Sequence, residues 1–263
     1  MHSSIPIVIR SSRYDSHLEA LKNWLKDQPE WQNSIYIGDA QFVISHKGLS
    51  LEDGESSLFF HPSMALLRLI NLQREEKDRY LRATALAQGD VVLDATLGLA
   101  SDALISSWAI GKEGRVVGLE SSPALSLLNR HGLEQLSSAP VPHVQSEEKA
   151  RAWLSLKEAA RRIEVCWTDH LDFMRNQPDC SFDVVYFDPM FRRTRTQSAA
   201  IQPLHTWANR RPLTPEVIFE ACRITRKRVV IKERKGSGEF ERLGFTLFPG
   251  GTYSQVDYGI IMV

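Results

Sequence analysis

The chain reads as an α/β protein: a mostly parallel seven-stranded sheet that ends in an antiparallel hairpin, preceded by a small N-terminal α/β appendage. Three observations predict this. Short runs that are apolar throughout recur from residue 89 onward, as in Val91-Val92-Leu93 and Val184-Val185-Tyr186-Phe187, and strands buried on both faces read this way. Stretches with apolar residues at helical spacing lie between them, and strand–helix alternation builds a parallel sheet covered on both sides. The last two runs flank Gly250-Gly251 with no helical pattern between them, which closes the sheet with a hairpin.

The elements follow in order. At the N-terminus, Ile5 to Ile9 is a β-branched strand, and Ser16 to Asp27 carries Leu18, Leu21 and Leu25 at helical spacing. Ser34 to Ile37 and Gln41 to Ser45 are short strands. The acidic, glycine-containing stretch Leu51 to Ser56 is the seam, giving a small region 1–56 and a main domain 57–263. Pro62 or Ser63 starts a helix through Leu66, Leu69 and Ile70. The main domain has strands at Val91–Asp94, Arg115–Glu120, Ile163–Trp167, Val184–Phe187 and Arg228–Lys232, then Phe245–Phe248 and Tyr258–Val263. Its helices are Ser101–Trp108, Pro123–Leu136, Glu147–Arg162, His170–Asn176 and Pro215–Cys222.

With 43% hydrophobic and 24% charged residues, the chain has the balance of a soluble globular protein. The lack of a membrane-length apolar run or a signal-like start makes a cytoplasmic location the expectation. The three cysteines, Cys166, Cys180 and Cys222, form no Cys-x-x-Cys pair, so they read as buried free thiols rather than a disulfide framework or zinc site. No histidine and acid set has metal-ligand spacing, and no metal is expected. Net charge is zero, yet Tyr186 to Lys235 holds twelve Lys and Arg against four Asp and Glu, a local +8 balanced by −8 elsewhere. Such an asymmetry suits a phosphate backbone docking beside the site; solvated arginines paired with acids elsewhere would also produce it.

Chemistry concentrates at strand ends, where open α/β sheets bind ligands. The first strand of the main domain runs into Asp94-Ala95-Thr96-Leu97-Gly98-Leu99-Ala100-Ser101-Asp102, a turn that aims a helix amino terminus at a ligand. Glu120 ends the next strand, placed to accept from both ribose hydroxyls of a nucleoside or to cap the helix at Pro123. Asp169 ends the third, placed to meet an adenine amine or to cap its own helix. The fourth ends in Asp188-Pro189-Met190-Phe191 and opens into Arg192-Arg193-Thr194-Arg195. An acid, a rigid proline and an aromatic can hold a planar base and accept a hydrogen bond from its exocyclic amine. Lys232 ends the fifth strand and reads as a phosphate contact or a solvated strand end, and His61 as a cofactor cover or a helix cap. His205-Thr206-Trp207 reads as a lid or as packing.

Five α/β units closed by a hairpin look like the Rossmann-like class I methyltransferase fold. Residues 59–263 resemble the RsmJ (YhiQ) family, small-subunit ribosomal RNA methyltransferases that act on a guanine exocyclic amine. The resemblance rests on Asp94-Ala95-Thr96 continuing through Gly98 to Asp102-Ala103, and on Leu119-Glu120 followed by Pro123, Leu127-Leu128 and Gly132-Leu133. It extends through Asp188 to Phe191, Ser198-Ala199, Lys227 to Lys232, and Asp257-Tyr258. Phe59 to Met64 and Gly111 to Ser122 are similar to an uncharacterised bacterial branch of such enzymes. The chain departs from RsmJ in Ala100, where a glycine is usual, and in Arg192, where proline is usual.

The resemblance implies S-adenosylmethionine as cofactor and ribosomal RNA of the small subunit as partner, with no membrane and no metal. It places Asp94, Thr96, Gly98 and Asp102 near the methionine part of the cofactor, Glu120 with Ser121 on the ribose, and Asp169 with His170 near the adenine. Asp188, Pro189 and Phe191 are the expected catalytic residues, and Arg192, Arg193, Arg195 and Lys232 the expected RNA contacts.

Overall fold

The computed structural model describes residues 4–11, 16–33, 40–54, 56–144, 146–189, 207–248, 250–251 and 254–263. The main sheet is built from β5 (Val91–Asp94), β6 (Arg115–Glu120), β7 (Ile163–Trp167), β8 (Phe182–Phe187), β9 (Thr225–Arg234), β10 (Thr246–Phe248) and β11 (Val256–Met262). Its spatial order is β10-β11-β9-β8-β5-β6-β7. The five strands from β9 to β7 are parallel, while β11 runs antiparallel to both neighbours. This is the class I methyltransferase arrangement. The strand order reverses between β5 and β8, where a crevice opens at the carboxyl ends.

Alternation along the strands explains why both faces are apolar. Val92, Val116, Val184, Tyr186 and Val230 enter one core with α3 (Ser63–Gln73), α5 (Ser101–Ile110) and α7 (Glu147–Ala160). Leu93, Val117, Val185, Phe187 and Val229 enter the other, under α8 (His170–Arg175) and α9 (Pro215–Ile224). α9 starts with Thr214 accepting from Val217 N and Pro215 at its first position, the preferred opening of a helix. A short α10 (Glu239–Arg242) lies between β9 and β10.

The N-terminal region forms its own four-stranded sheet, β1 (Ile7–Ile9), β2 (Ala40–Ser45), β3 (Gly48–Asp53) and β4 (Ser56–Phe59), with α1 (Ser16–Lys26) and α2 (Pro29–Asn33). The expected seam at 51–56 is instead the end of β3 and the start of β4, and the small sheet extends through Phe59. Leu49, Leu51 and Leu58 are buried while Glu52, on the other face of β3, pairs with Arg10, so this acid belongs to the polar face of a strand. The expected strand 34–37 lies outside the described residues. α4 (Arg79–Thr84), which Asp78 caps by accepting from Leu81 N, has too short an apolar pattern to announce itself.

The two sheets share α6 (Pro123–Ser138), which is apolar on two sides. Ala124, Leu125, Leu127 and Leu128 pack into the N-terminal core, whereas Leu133 and Leu136 pack into the main one. Gly132 makes this shared seating possible, since a Cβ there would stand 2.0 Å from Phe60 Cγ and 2.3 Å from Phe60 Cβ. A helical Gly→Ala change ordinarily stabilises by about 1 kcal/mol. Here the clash with the root of a ring outweighs that gain, and Gly132→Ala is expected to destabilise by about 1–3 kcal/mol, as overpacking does. Urea unfolding checks the sign; a raised midpoint would contradict the packing.

Net pairing also revises the charge picture. Arg223, Arg226 and Lys227, where α9 passes into β9, bond Asp179, Glu220, Asp183 and Asp90 at the amino ends of the strands. That part of the local +8 lies at the end of the sheet opposite the crevice and is locally neutralised. The cysteines are all free, but Cys180 is exposed and Cys166 and Cys222 are half-buried, so the expectation of buried thiols is corrected. Among the described residues no helix is long and apolar enough to cross a membrane.

Candidate active site

The crevice is a cavity of about 1210 Å³ to which all five parallel strands contribute from their carboxyl ends. Asp94 ends β5 and Ala95 to Leu99 follow it, Leu119 and Glu120 end β6 with Ser121 next, Thr168 and His170 follow β7, Asp188 and Pro189 follow β8, and Lys232 and Arg234 lie at the end of β9.

The glycine turn is held tightly. Gly98 sits at φ +55°, a left-handed value natural to glycine. Leu97 lies against β6 because Gly118 has no side chain; a Cβ there would stand 2.6 Å from Leu97 Cδ1. Ala100, which stands where a glycine is usual, also adopts a left-handed conformation at φ 59°, so the reason for glycine at this place is visible in the backbone. Its methyl is fully buried among α3, α5 and β5 side chains, which offsets part of the roughly 1–2 kcal/mol that the conformation costs. Thr96 links two strand ends: its N–H donates to Asp94 Oδ1 at 3.2 Å, and its Oγ1 accepts from Asp188 N at 2.5 Å.

At the inner end, Asp102 in the first turn of α5 accepts from Tyr186 Oη at 2.8 Å, from Arg68 of α3 at 2.5 Å, and from Lys232 Nζ at 3.4 Å. Arg68 also grips Asp78 through two nitrogens. Burial would push the Asp102 carboxyl up, but Lys232, then Arg68, then hydrogen bonds from Tyr186 and Arg68 hold it at about 2. Asp94 makes no ion pair of this kind; burial and then Asp102 push its carboxyl well up, against the Thr96 N–H and a weaker pull from Lys232. The inner cluster thus sets four carboxyls, Asp78, Asp94, Asp102 and Asp188, against the two cations Arg68 and Lys232.

Glu120 sits at the outer end and is 7% exposed. Its Oε1 accepts from Ser122 N at 2.8 Å. Burial raises its carboxyl to about 7 in spite of backbone N–H groups from Ser122, Gly98 and Ser121. The helix cap at Pro123 is provided by Ser122, whose side chain accepts from Leu125 N, which leaves Glu120 to the cavity. His170 lines the wall edge-on to Phe187, with ring centroids 6.1 Å apart, and burial lowers its imidazole.

The structure brings together Asp94, Thr96, Gly98, Asp102, Glu120, Ser121, His170, Asp188 and Pro189 on this cavity. Two candidates are engaged by other partners. Asp169 turns its Oδ1 onto Leu171 N at 2.8 Å as the cap of α8, and the cavity is lined instead by its neighbours Thr168 and His170. Lys232 turns inward to two carboxylates rather than outward to phosphate. Phe191, Arg192, Arg193, Arg195, Ser198-Ala199 and His205-Thr206 lie outside the described residues. His61 Nδ1 accepts from Ser63 N at the start of α3, away from this cavity, and Trp207 is buried in the N-terminal core. Arg68, Asp78, Tyr80, Tyr186 and Tyr258 also line the cavity; Tyr258 stands in the Asp257-Tyr258 pair of the resemblance, and none of the five had been expected as a site residue. A further signal was the arginine among the apolar residues of α3.

Comparison with known proteins places this geometry. The SAM-dependent methyltransferase family model matches residues 59–241. An uncharacterised protein of Bacillus subtilis, YpiP, is 40% identical over 206 residues, covering 78% of this chain and 75% of its own. Ribosomal RNA small subunit methyltransferase J of Laribacter hongkongensis is 30% identical over 149 residues, 56% of this chain and 47% of the relative. The match therefore spans about half of that relative's length. The crystal structure of a SAM-dependent methyltransferase from Neisseria gonorrhoeae shares the fold, with a TM-score of 0.60 at 18% identity over 98% of this chain and 95% of that one. The residues present fit an adenosylated sulfonium. Asp94, Asp102 and Asp188 gather at one end of the lining, where a cation would sit beside carboxyls, and the buried Glu120 carboxyl, free of capping duty, stands for hydroxyl donors. Among the described residues no group of three or more His, Cys, Asp or Glu is placed to hold a metal ion.

Proposed function

The chain belongs to the S-adenosylmethionine-dependent methyltransferase family, and from that premise we propose that it methylates a guanine exocyclic amine in ribosomal RNA of the small subunit. The observation that carries the reading is the position of Asp188-Pro189. The pair follows β8, next to β5 at the point where strand order reverses, on the same cavity as Glu120 and the glycine turn. The 30% identity to a ribosomal RNA methyltransferase supports the same substrate class.

S-adenosylmethionine, when bound, supplies a methyl carbon already activated by sulfonium, so that sulfur keeps the bond pair as the amine lone pair takes the carbon. The chain's part is alignment and acceptance of a proton. Asp188 accepts a hydrogen bond from the amine, which turns its lone pair toward the donor, and takes up the proton that nitrogen sheds. Glu120 and Ser121 hold the ribose end; Asp94, Thr96, Gly98 and Asp102 surround the methionine end. Phe191 stacks on the base, and Arg192, Arg193 and Arg195 meet phosphate. A stacked guanine must leave its stack to enter.

The test is methyl transfer from labelled cofactor to under-methylated small ribosomal subunits and to naked ribosomal RNA. Label in RNA, mapping to a guanine N2 and weakening as salt rises, is the expected result. Label appearing in protein or metabolites but not in RNA would overturn the substrate assignment.

A further inference from the structure

Lys232 stands beside Asp188 because β8 and β9 are parallel neighbours in which Phe187 pairs with Ile231. The next residue on each strand faces the crevice. Lys232 Nζ donates to Asp188 Oδ2 at 2.7 Å and to Asp102 Oδ2 at 3.4 Å, with 23% of the side chain exposed. An ammonium this enclosed is costly to bury unless carboxylates meet it, and two do. Asp102 has Tyr186 and Arg68 as further donors, whereas among the described residues Lys232 is the side-chain donor on the Asp188 carboxylate.

We propose that Lys232 is a positioning residue for methyl transfer: its ammonium tethers the Asp188 carboxylate at the end of β8 and keeps it in the ionised, hydrogen-bond-accepting form. The proposal rests on the reading of Asp188 as the acceptor of the substrate amine. A carboxylate offers about four acceptor sites, so the tether to Oδ2 leaves room for the amine.

The groups that face Asp188 decide the direction of the effect. They are Lys232 and Glu233 on β9, Asp102 on α5, Asp94 on β5, Tyr186 on β8, Tyr258 on β11 and Arg68 on α3. Burial raises the Asp188 carboxyl, Lys232 pulls it down, and Asp102 raises it again. Lys232 in turn is held protonated by Asp188 and Asp102, which outweigh its burial. Without the ammonium, Arg68 is the cation left to the four inner carboxyls, and it bonds Asp78 and Asp102 rather than Asp188; like charges so placed cannot all remain ionised. Asp188, with the fewest donors, takes the proton and loses its capacity to receive one from the amine.

The experiment compares wild type, Lys232→Met, Lys232→Gln and Lys232→Arg in two readouts. In RNA-free protein labelled with carbon-13 at the aspartate carboxyls, the Asp188 titration midpoint is expected to rise by at least about one pH unit in the Met and Gln variants and to return toward wild type with Arg. In the methyl-transfer assay the acidic limb of the pH–rate profile moves the same way, so that activity lost by about tenfold or more near neutrality returns at alkaline pH. An unchanged midpoint, or a pH-independent loss that Lys232→Arg does not restore, would overturn the role. If wild type fails to methylate RNA, the substrate assignment falls, while the titration in RNA-free protein still decides whether Lys232 holds Asp188 ionised. The Gln variant preserves most of the side-chain volume and keeps the test open if the Met variant does not fold.

Discussion

Replacing Asp188 with asparagine is expected to lower the rate of methyl transfer by a factor on the order of 10³, within the range removed with a proton-accepting group, while cofactor affinity changes by less than about tenfold. The substitution keeps the shape of the side chain and an oxygen for Lys232 Nζ. It leaves untouched the backbone bond from Asp188 N to Thr96 Oγ1 that joins the β8 turn to the β5 turn. What it removes is the negative charge. Asp188 ends β8 and Glu120 ends β6, with β5 between them, so the two carboxyls belong to strands roughly 10 Å apart and the ribose end is not disturbed. Alanine would be a poorer probe, because it leaves the Lys232 ammonium enclosed with Asp102 alone, and a buried charge stripped of a partner destabilises by about 3–5 kcal/mol. Single-turnover transfer and calorimetry on the same preparation separate the effects. An equal collapse of cofactor binding would move Asp188 from the acceptor site to the cofactor site, and an unchanged rate would remove it from the chemistry.

The sequence showed which strand ends carry acids more reliably than where those acids point. β5, β6 and β7 match their expected bounds to the residue; β5 and most of β6 are buried on both faces, whereas β7 is the half-buried edge strand, with Glu164 exposed. Glu120 and Asp169 illustrate the remaining ambiguity. Each is an acid at a strand end before a helix, and each could cap. Ser122 takes the cap of α6 and Glu120 stays on the cavity, whereas Asp169 is itself the cap of α8. The neighbour that wins a free N–H is settled by loop conformation, which local composition does not record. Arg68 and Lys232 were illegible for another reason. Apart from Asp78, ten positions after Arg68, their partners lie 34 and 44 positions or more away in sequence, so the folded sheet is what brings these charges together. The basic segment misled in the same way: its excess is real as a count, but Arg223, Arg226 and Lys227 are spent on acids at the far end of the strands.

Cofactor affinity is expected to rise with pH through neutrality, and Glu120→Gln is expected to flatten that dependence. Burial places the Glu120 carboxyl at about 7, from an ordinary value of 4.5. The sign for stability follows from proton counting. Between the unfolded and folded values the folded chain binds more protons, so stability falls as pH rises from about 4.5 to about 7 and stays lower above it, by on the order of 3 kcal/mol in all. Hydroxyl donors from a ribose favour the ionised carboxylate, so binding draws the proton off and strengthens with pH over the same window. Glutamine removes both effects. At about pH 8 the variant should melt higher than wild type yet bind cofactor roughly ten- to a hundredfold more weakly, the range for hydrogen bonds to a charged group. At about pH 6, where wild-type Glu120 is mostly protonated, the two affinities should converge. Calorimetry across that range reads the binding, and thermal melts without ligand read the stability. A wild-type affinity that is level from about pH 6 to about pH 8 would show that the ribose does not depend on an ionised Glu120. A Glu120→Gln protein less stable than wild type at about pH 8 would show that the burial cost has been offset inside the fold.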